Sequence, residues 1–282
     1  MAPDAPRSDT PASDVRLVDN LEEVWRRIAD LTVDLTEAEW KRPTEVPGWS
    51  VQDNLTHLTD IELMIQDRPR PEHVVPTGLD HVKNDAGERN EVFVDARRAW
   101  AGADARAEFV DVTDARIVAL RALSEADFGA ESWTPMGPGT VRDLLPFRAF
   151  DSWVHEQDIR EALDRPGGCT GPAAEAAMDR IVGTAGYVIG KKAAAPEGTV
   201  VVIECTPPLA RTVVVTVESG RAKVLDEEPA AVTVRIRVDG ATYARVACGR
   251  ADPAAVVAAG SVTFAGDGVL GRRIFEELNF LF

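Results

Sequence analysis

Residues 140–163 read TVRDLLPFRAFDSWVHEQDIREAL and carry Asp151 and His155 four residues apart. Over a helix, four residues advance about 400°, so the carboxylate and the imidazole stand one above the other on the same face. That spacing suits a pair of metal ligands, and it is equally ordinary for a capping contact. Arg148, three residues before Asp151, offers that carboxylate a rival use as half of a surface ion pair. Thr140 caps the stretch, and an earlier segment starts in the same way: Ser50-Val51-Gln52-Asp53-Asn54-Leu55 matches Thr140-Val141-Arg142-Asp143-Leu144-Leu145 in cap, apolar residue, acid and leucine. Two helices that begin alike suggest a bundle made of two related helix pairs. Such caps also recur by chance.

Working outward toward the N-terminus, the Ser50 segment continues as SVQDNLTHLTDIELMI. Ser50 and Asp53 form an acidic variant of the capping box. Val51, Leu55, Leu58, Glu62 and Ile65 fall in one stripe, and His57 borders it beside Ile61 and Met64. Before it, residues 14–35 place Val15, Val18, Leu21, Val24 or Trp25, Ile28 and Leu31 at steps of three and four, an amphipathic helix with Ser13 or Asp14 as its cap. The turn between them holds Arg42-Pro43 and Val46-Pro47-Gly48-Trp49. After the second helix, a Pro/Gly-rich connection carries His73 and His81, read as solvated loop histidines. Helical periodicity returns over 84–100 and 104–123, with AGADA between them as a kink or a loop. ESWTPMGPGT, with two prolines and two glycines, breaks the chain before Thr140.

Beyond Leu163 the composition changes. DRPGGCTGP is a linker, and residues 173–194 form an Ala-rich helix. β-Branched runs follow at 199–205, 211–218, 221–225 and 232–238. Short helices at 241–248 and 253–259, a strand at 262–264 and a last helix at 267–278 complete a small α+β domain. The expected organisation is therefore a disordered lead-in over 1–12, a helical bundle over 13–165 and an α+β domain over 173–282. Gly266-Asp-Gly-Val-Leu-Gly271 has the spelling of a dinucleotide-binding loop, but no βαβ unit can follow it, and it reads as a turn and helix start.

The 282 residues, 45% apolar and 28% charged, describe a soluble globular protein of two domains. A net charge of −16 disfavours nucleic acid or an anionic membrane surface as a partner. No apolar run is long enough for an anchor, and the polar, Pro-rich start is unlike a signal peptide. Three scattered cysteines, none in a CxxC, suit a reducing cytoplasm. There is no G-x-S-x-G elbow, so a nucleophilic triad has no support. His57 and His155, with Asp151 one turn before His155, are instead three N/O donors from two helices, the set a catalytic divalent metal uses. The six tryptophans read as packing mass, and Trp153 points away from the proposed ligands.

The stretches Val46-Pro-Gly-Trp-Ser-Val-Gln-Asp-Asn-Leu-Thr-His57-Leu and Arg148-Ala-Phe-Asp151-Ser-Trp-Val-His155-Glu-Gln-Asp-Ile-Arg160 resemble the mycothiol-dependent maleylpyruvate isomerase family. Cys248-Gly-Arg-Ala-Asp-Pro and Gly266-Asp-Gly-Val-Leu-Gly-Arg-Arg are similar to the smaller domain that follows in many members. The resemblance covers nearly the whole chain after the lead-in. It implies a DinB-like four-helix bundle followed by a sterol-carrier-like α+β domain, α+β overall. It further implies zinc or a similar divalent ion held by one histidine of the second helix and an acid-x-x-x-His pair of the fourth, positions matched by His57, Asp151 and His155. The family's acid is Glu, so Asp151 is one methylene shorter, which bears on the identity and strength of the metal more than on its place.

The same resemblance implies mycothiol, a low-molecular-weight thiol, as cosubstrate, and a small electrophile as its partner. A thiol beside a divalent cation is a thiolate near neutral pH. It can add to an electron-poor double bond and leave again after rotation, or remain attached, so isomerase and S-transferase are both implied. Arg272 and Arg273 on the last helix are candidates for holding an anionic substrate. A non-catalytic DinB-like or sterol-carrier-like ligand-binding or stress protein is the competing reading. The sequence specifies neither the substrate nor the oligomeric state.

Overall fold

Helix starts are set locally by paired capping contacts. Thr36, Ser50, Ser124 and Thr140 each accept a hydrogen bond from the backbone N–H three residues on, and the acid at that position accepts one from the backbone N–H of the cap. Each exchange satisfies two of the donors a helix N-terminus would leave open. The computed structural model describes residues 11–75 and 78–281. Residues 1–10, most of the expected lead-in, lie outside that description, and Ala12 already belongs to the first helix.

The chain divides after Gly168 into two compact units. In the first, α1 (Ala12–Leu31), α2 (Glu37–Trp40), α3 (Val51–Ile65), α4 (Asp85–Asp95), α5 (Gly102–Arg121), α6 (Glu125–Phe128) and α7 (Val141–Ala162) follow in order. The four long helices make a bundle in which α1 packs on α7 and α5, and α3 packs on the same two; α4 adds to the outside of α3. The core is built from Leu21, Val24, Trp25 and Ile28 of α1, Leu55 and Leu58 of α3, Phe109 and Val112 of α5, and Leu144 and Leu145 of α7, all at or near zero exposure.

Three expectations change here. Helix α1 starts on Pro11 without a side-chain cap, because Asp14, expected as a cap, is buried and accepts from Arg142 of α7 instead. ESWTPMGPGT is an antiparallel hairpin, β1 (Glu131–Thr134) and β2 (Gly137–Thr140), with Trp133 opposite Pro138. In a two-stranded ribbon both strands are edges, which is where proline is tolerated in β structure. The single stripe expected on α3 is in fact burial on nearly every side, since α2, α4, α5 and α7 surround it, so Gln52, Asn54, Thr56, Thr59 and Glu62 are buried with the leucines.

The second unit contains α8 (Pro172–Val182), α9 (Ala185–Tyr187), a π-helical turn (Val188–Lys192), β3 (Val200–Thr206), β4 (Arg211–Glu218), β5 (Arg221–Leu225), β6 (Val234–Asp239), α10 (Gly240–Ala247), α11 (Pro253–Ala258), β7 (Val262–Gly266) and α12 (Gly268–Glu276). Its sheet runs β5-β4-β3-β6-β7, with β3 and β6 parallel and every other pair antiparallel. This is an α+β unit, as expected. Its strands stand close to where the β-branched runs put them. The Ala-rich segment is broken rather than continuous: Gly183 ends α8, and at Gly190 in the π turn a side chain would come within 2.8 Å of the Ala222 Cβ, so the backbone there packs directly on β5.

Candidate metal centre

The site is built on the starts and middles of α3 and α7. Before α3, Trp49 N–H donates to the Val46 carbonyl at 3.0 Å, closing a turn with Pro47 and Gly48 at its centre. Gly48 has φ +79, the left-handed value the third residue of a type II turn requires, and a Cβ there would lie 2.5 Å from the His81 ring. The turn delivers Trp49 over the first turns of α3, with its ring centre 5.0 Å from that of His57 and 5.9 Å from that of His155.

His57 on α3 and Asp151 and His155 on α7 converge. One ligand atom from each lies within 4.8 Å of the other two. His57 Nε2 stands 3.8 Å from Asp151 Oδ2, and His155 Nε2 stands 3.7 Å from Asp151 Oδ1. These separations are beyond hydrogen-bonding range. They lie within a few tenths of an ångström of the roughly 3.3–3.4 Å that separates two donors bound at about 2.0–2.1 Å to one tetrahedral ion. Both histidines are buried, while the Asp151 side chain keeps 32% of its surface exposed, so the cluster opens to solvent on the aspartate side.

Protonation states follow from the neighbours. Asn54 Nδ2 donates to the Ser50 carbonyl at 2.9 Å and to Thr44 Oγ1 at 3.0 Å, which orients the amide and turns its oxygen toward His155. His155 Nδ1 lies 2.6 Å from that oxygen and 3.1 Å from Asp158 Oδ2, two acceptors that call for a hydrogen on Nδ1 and leave Nε2 as the ring nitrogen on the side of Asp151. Burial pushes the His57 pKa down, with Asp151 opposing only in part, and favours the neutral ring. For Asp151, burial works against the charge but is outweighed, chiefly by the Arg148 guanidinium, and the carboxyl is held well below the usual carboxylate range. Two imidazoles and one carboxylate, oriented by Asn54, Asp158 and Arg148, are a donor set that fits zinc with a coordination position left over.

The rival use of Asp151 turns out to be compatible with this. Arg148 Nη1 donates to Asp151 Oδ2 at 2.6 Å, yet Arg148 is 3% exposed and no surface residue, and its Nε donates to Glu62 Oε1 of α3 at 2.7 Å. Oδ1 faces His155, while Oδ2, which accepts from Arg148, faces His57. His73, read as solvated, is exposed and lies 2.7 Å from Asp95; His81, also read as solvated, is half-buried, with Nε2 3.1 Å from Glu91 but not hydrogen-bonded to it. Glu91 accepts from Trp49 Nε1 at 3.0 Å, and the second histidine stands against the turn that brings Trp49 to the cluster. Trp49, Asn54, Asp158 and Glu62 went unrecognised in the sequence as parts of the site. Asn54, three residues before His57, and Asp158, three after His155, were at helical spacing and could have been found.

Trp153 does point away, donating to the Gly168 carbonyl at 2.8 Å. Arg272 and Arg273 lie on the exposed side of α12 in the second unit. Cys205 and Cys248 are buried, and burial, with Asp239 nearby, pushes the Cys205 thiol up to about 12, so it is no nucleophile at neutral pH. Among the described residues no helix is long and apolar enough to cross a membrane.

Residues 21–160, which run from within α1 almost to the end of α7, match the mycothiol maleylpyruvate isomerase N-terminal domain. Two crystal structures of the mycothiol-dependent maleylpyruvate isomerase, one of them of a histidine-to-alanine mutant, are similar at 18% identity over 90% of this chain and 93% of theirs. Their TM-scores are 0.51 for the isomerase and 0.52 for the mutant, a likeness of fold. A UbiJ-SCP2 ubiquinone synthesis protein aligns with 38% of this chain and 90% of its own at 12% identity, but its TM-score of 0.28 carries no argument. No curated protein matches. The matched domain contains all three converging residues, and with it the chain belongs to the mycothiol-dependent maleylpyruvate isomerase family.

Proposed function

We propose that the first unit binds a divalent metal ion, zinc by the character of its donors, through His57, Asp151 and His155. In this reading the protein uses the ion to bring the thiol of mycothiol to a small electrophile. The observation that carries it is the convergence of three donors from two helices at separations too long for hydrogen bonds, on a side open to solvent. When bound, the ion would lower the pKa of a thiol beside it and supply a thiolate near neutral pH. The chain's own part is to hold His155 as the Nδ1–H tautomer through Asn54 and Asp158, to keep His57 neutral by burial, to keep Asp151 charged through Arg148, and to wall one side of the cluster with Trp49. The reaction class is addition of the thiolate to an electron-poor double bond. Isomerisation follows if the carbon–sulfur bond breaks again after rotation, and S-transfer if it persists. Arg272 and Arg273 are the candidates for an anionic substrate, and a reducing cytoplasm belongs to the same reading.

Metal analysis of the purified protein tests the first half: a stoichiometric divalent ion is expected, lost in His57→Ala and in His155→Ala. A wild type without metal, whose histidines are replaceable without effect, sinks the proposal in favour of a non-catalytic ligand-binding role. A screen of electrophiles with mycothiol, scored by thiol consumption and by change of isomer, tests the second half. Turnover that needs no thiol refutes the thiol chemistry and leaves the metal site standing.

A further inference from the structure

A buried ion cluster lies beside the three donors, and stability alone does not account for it. Glu62 is 1% exposed and sits on α3, five residues beyond His57; Arg148 is 3% exposed and sits on α7, three residues before Asp151. The Arg148 fork spans the two carboxylates, with Nε on Glu62 at 2.7 Å and Nη1 on Asp151 at 2.6 Å. Arg116 of α5 approaches the other oxygen of Glu62 only to 3.5 Å. Glu62 Oε2, Arg148 Nη2 and Arg116 Nε are consequently buried without hydrogen-bond partners. Buried polar groups in that condition cost stability. A buried ion pair can often be replaced by apolar side chains of similar volume with no loss, so a pair this imperfect is weak evidence of a structural purpose.

We infer that Glu62 is a positioning residue for the centre, acting through Arg148 to hold the Asp151 carboxylate in register with the two histidines; this rests on the metal reading above. With Glu62 in place, Arg148 is anchored from α3 and shares its charge between two carboxylates. Nη1 then fixes Oδ2 of a short side chain while Oδ1 stays turned toward His155. Without Glu62, Asp151 becomes the sole carboxylate on Arg148. The guanidinium then competes with the ion for Asp151, and Arg148 and Arg116 are left with one carboxylate between them, one positive charge in excess beside the centre. Both consequences weaken metal binding.

The experiment is titration of the metal-free protein with Co2+, read as affinity and as the visible spectrum of the bound ion, alongside a thermal melt. Glu62→Gln, which keeps the size and removes the charge, is expected to lower Co2+ affinity by about 10–100-fold and to change the spectrum. Wild-type affinity and spectrum in Glu62→Gln overturn the inference. The double variant Glu62→Leu/Arg148→Met replaces the pair with apolar volume and separates positioning from stability. It is expected to melt at or above the wild-type temperature and, with the competing guanidinium gone, to bind Co2+ more tightly than Glu62→Gln does. A double variant that melts like the wild type yet binds Co2+ no better than Glu62→Gln shows that the loss does not run through Arg148 and overturns the inference. A wild type that takes up no Co2+ is a different failure, ending the metal reading and this inference together.

Discussion

The two sides of α7 bury charge in opposite ways. Toward α1, Ser152 accepts from Trp25 Nε1 at 3.0 Å, and Glu156, with its side chain fully buried, accepts from Arg27 at 2.8–3.1 Å and from Arg160 at 2.9 Å. Every distance there is a hydrogen bond, and the partners complete one another. Toward α3, Asp151 and the two histidines approach one another only to 3.7 and 3.8 Å, and the outer partners Asn54, Asp158 and Arg148 hold them in that arrangement. A buried polar group that satisfies itself within the protein belongs to the fold. Groups held apart at a common centre are what the proposed metal site requires.

The sharpest way to break this contrast is to remove a donor on the α3 side. His57→Ala or His155→Ala is expected to weaken zinc binding on the order of a hundred- to a thousand-fold, a share of the roughly 10–16 kcal/mol such sites supply. The readout is metal content after gel filtration. Equal metal content in variant and wild type would erase the difference between the two sides. The complementary change is Glu156→Gln on the α1 side, expected to cost about 3 kcal/mol and to lower the melting temperature by roughly 6–12 °C with metal content unchanged. Loss of metal in that variant would show that the two sides are not separable.

A smaller effect sharpens the comparison through pH. The folded pKa of His57 is depressed, so the unfolded chain binds more protons in the window below the ordinary histidine value. Stability of the metal-free protein is therefore intact above about pH 6.5 and is lost as pH falls below it, with a slope of at most about 1.4 kcal/mol per pH unit from this one group. Chemical denaturation between pH 5 and 7 checks it, and His57→Gln is expected to flatten that part of the profile. The smallest effect belongs to the exposed pair in the second unit. Arg272→Ala and Arg273→Ala are expected to shift the melting temperature by no more than about 2 °C and to leave metal content alone. A hold on an anionic substrate would show in these variants as a raised KM.

Much of this architecture is legible in the sequence alone. The capping boxes at Ser50 and Thr140 place two helix starts, and strands β4 and β5 stand where their β-branched runs do. Asp151 and His155 share a face because helix geometry alone puts residues four apart on one side. The hairpin at 131–140 was missed because two prolines and two glycines signal a break equally well in a ribbon and in a loop. The polar burial along α3 was missed because a stripe of leucines predicts one packed side, and only the neighbours of a helix determine how many sides are covered.

What the chain determines locally, then, is which segments are helix or strand and which donors share a helical face. Tertiary packing alone decides that Asn54 orients His155 from 101 residues away, that Arg148 is buried against Glu62 rather than paired at the surface, and that His57 joins Asp151 and His155. The physical reason is that helical periodicity is a property of neighbouring residues. Satisfaction of a buried donor or charge depends on whichever helix the fold brings alongside, and no spacing within one segment records that choice.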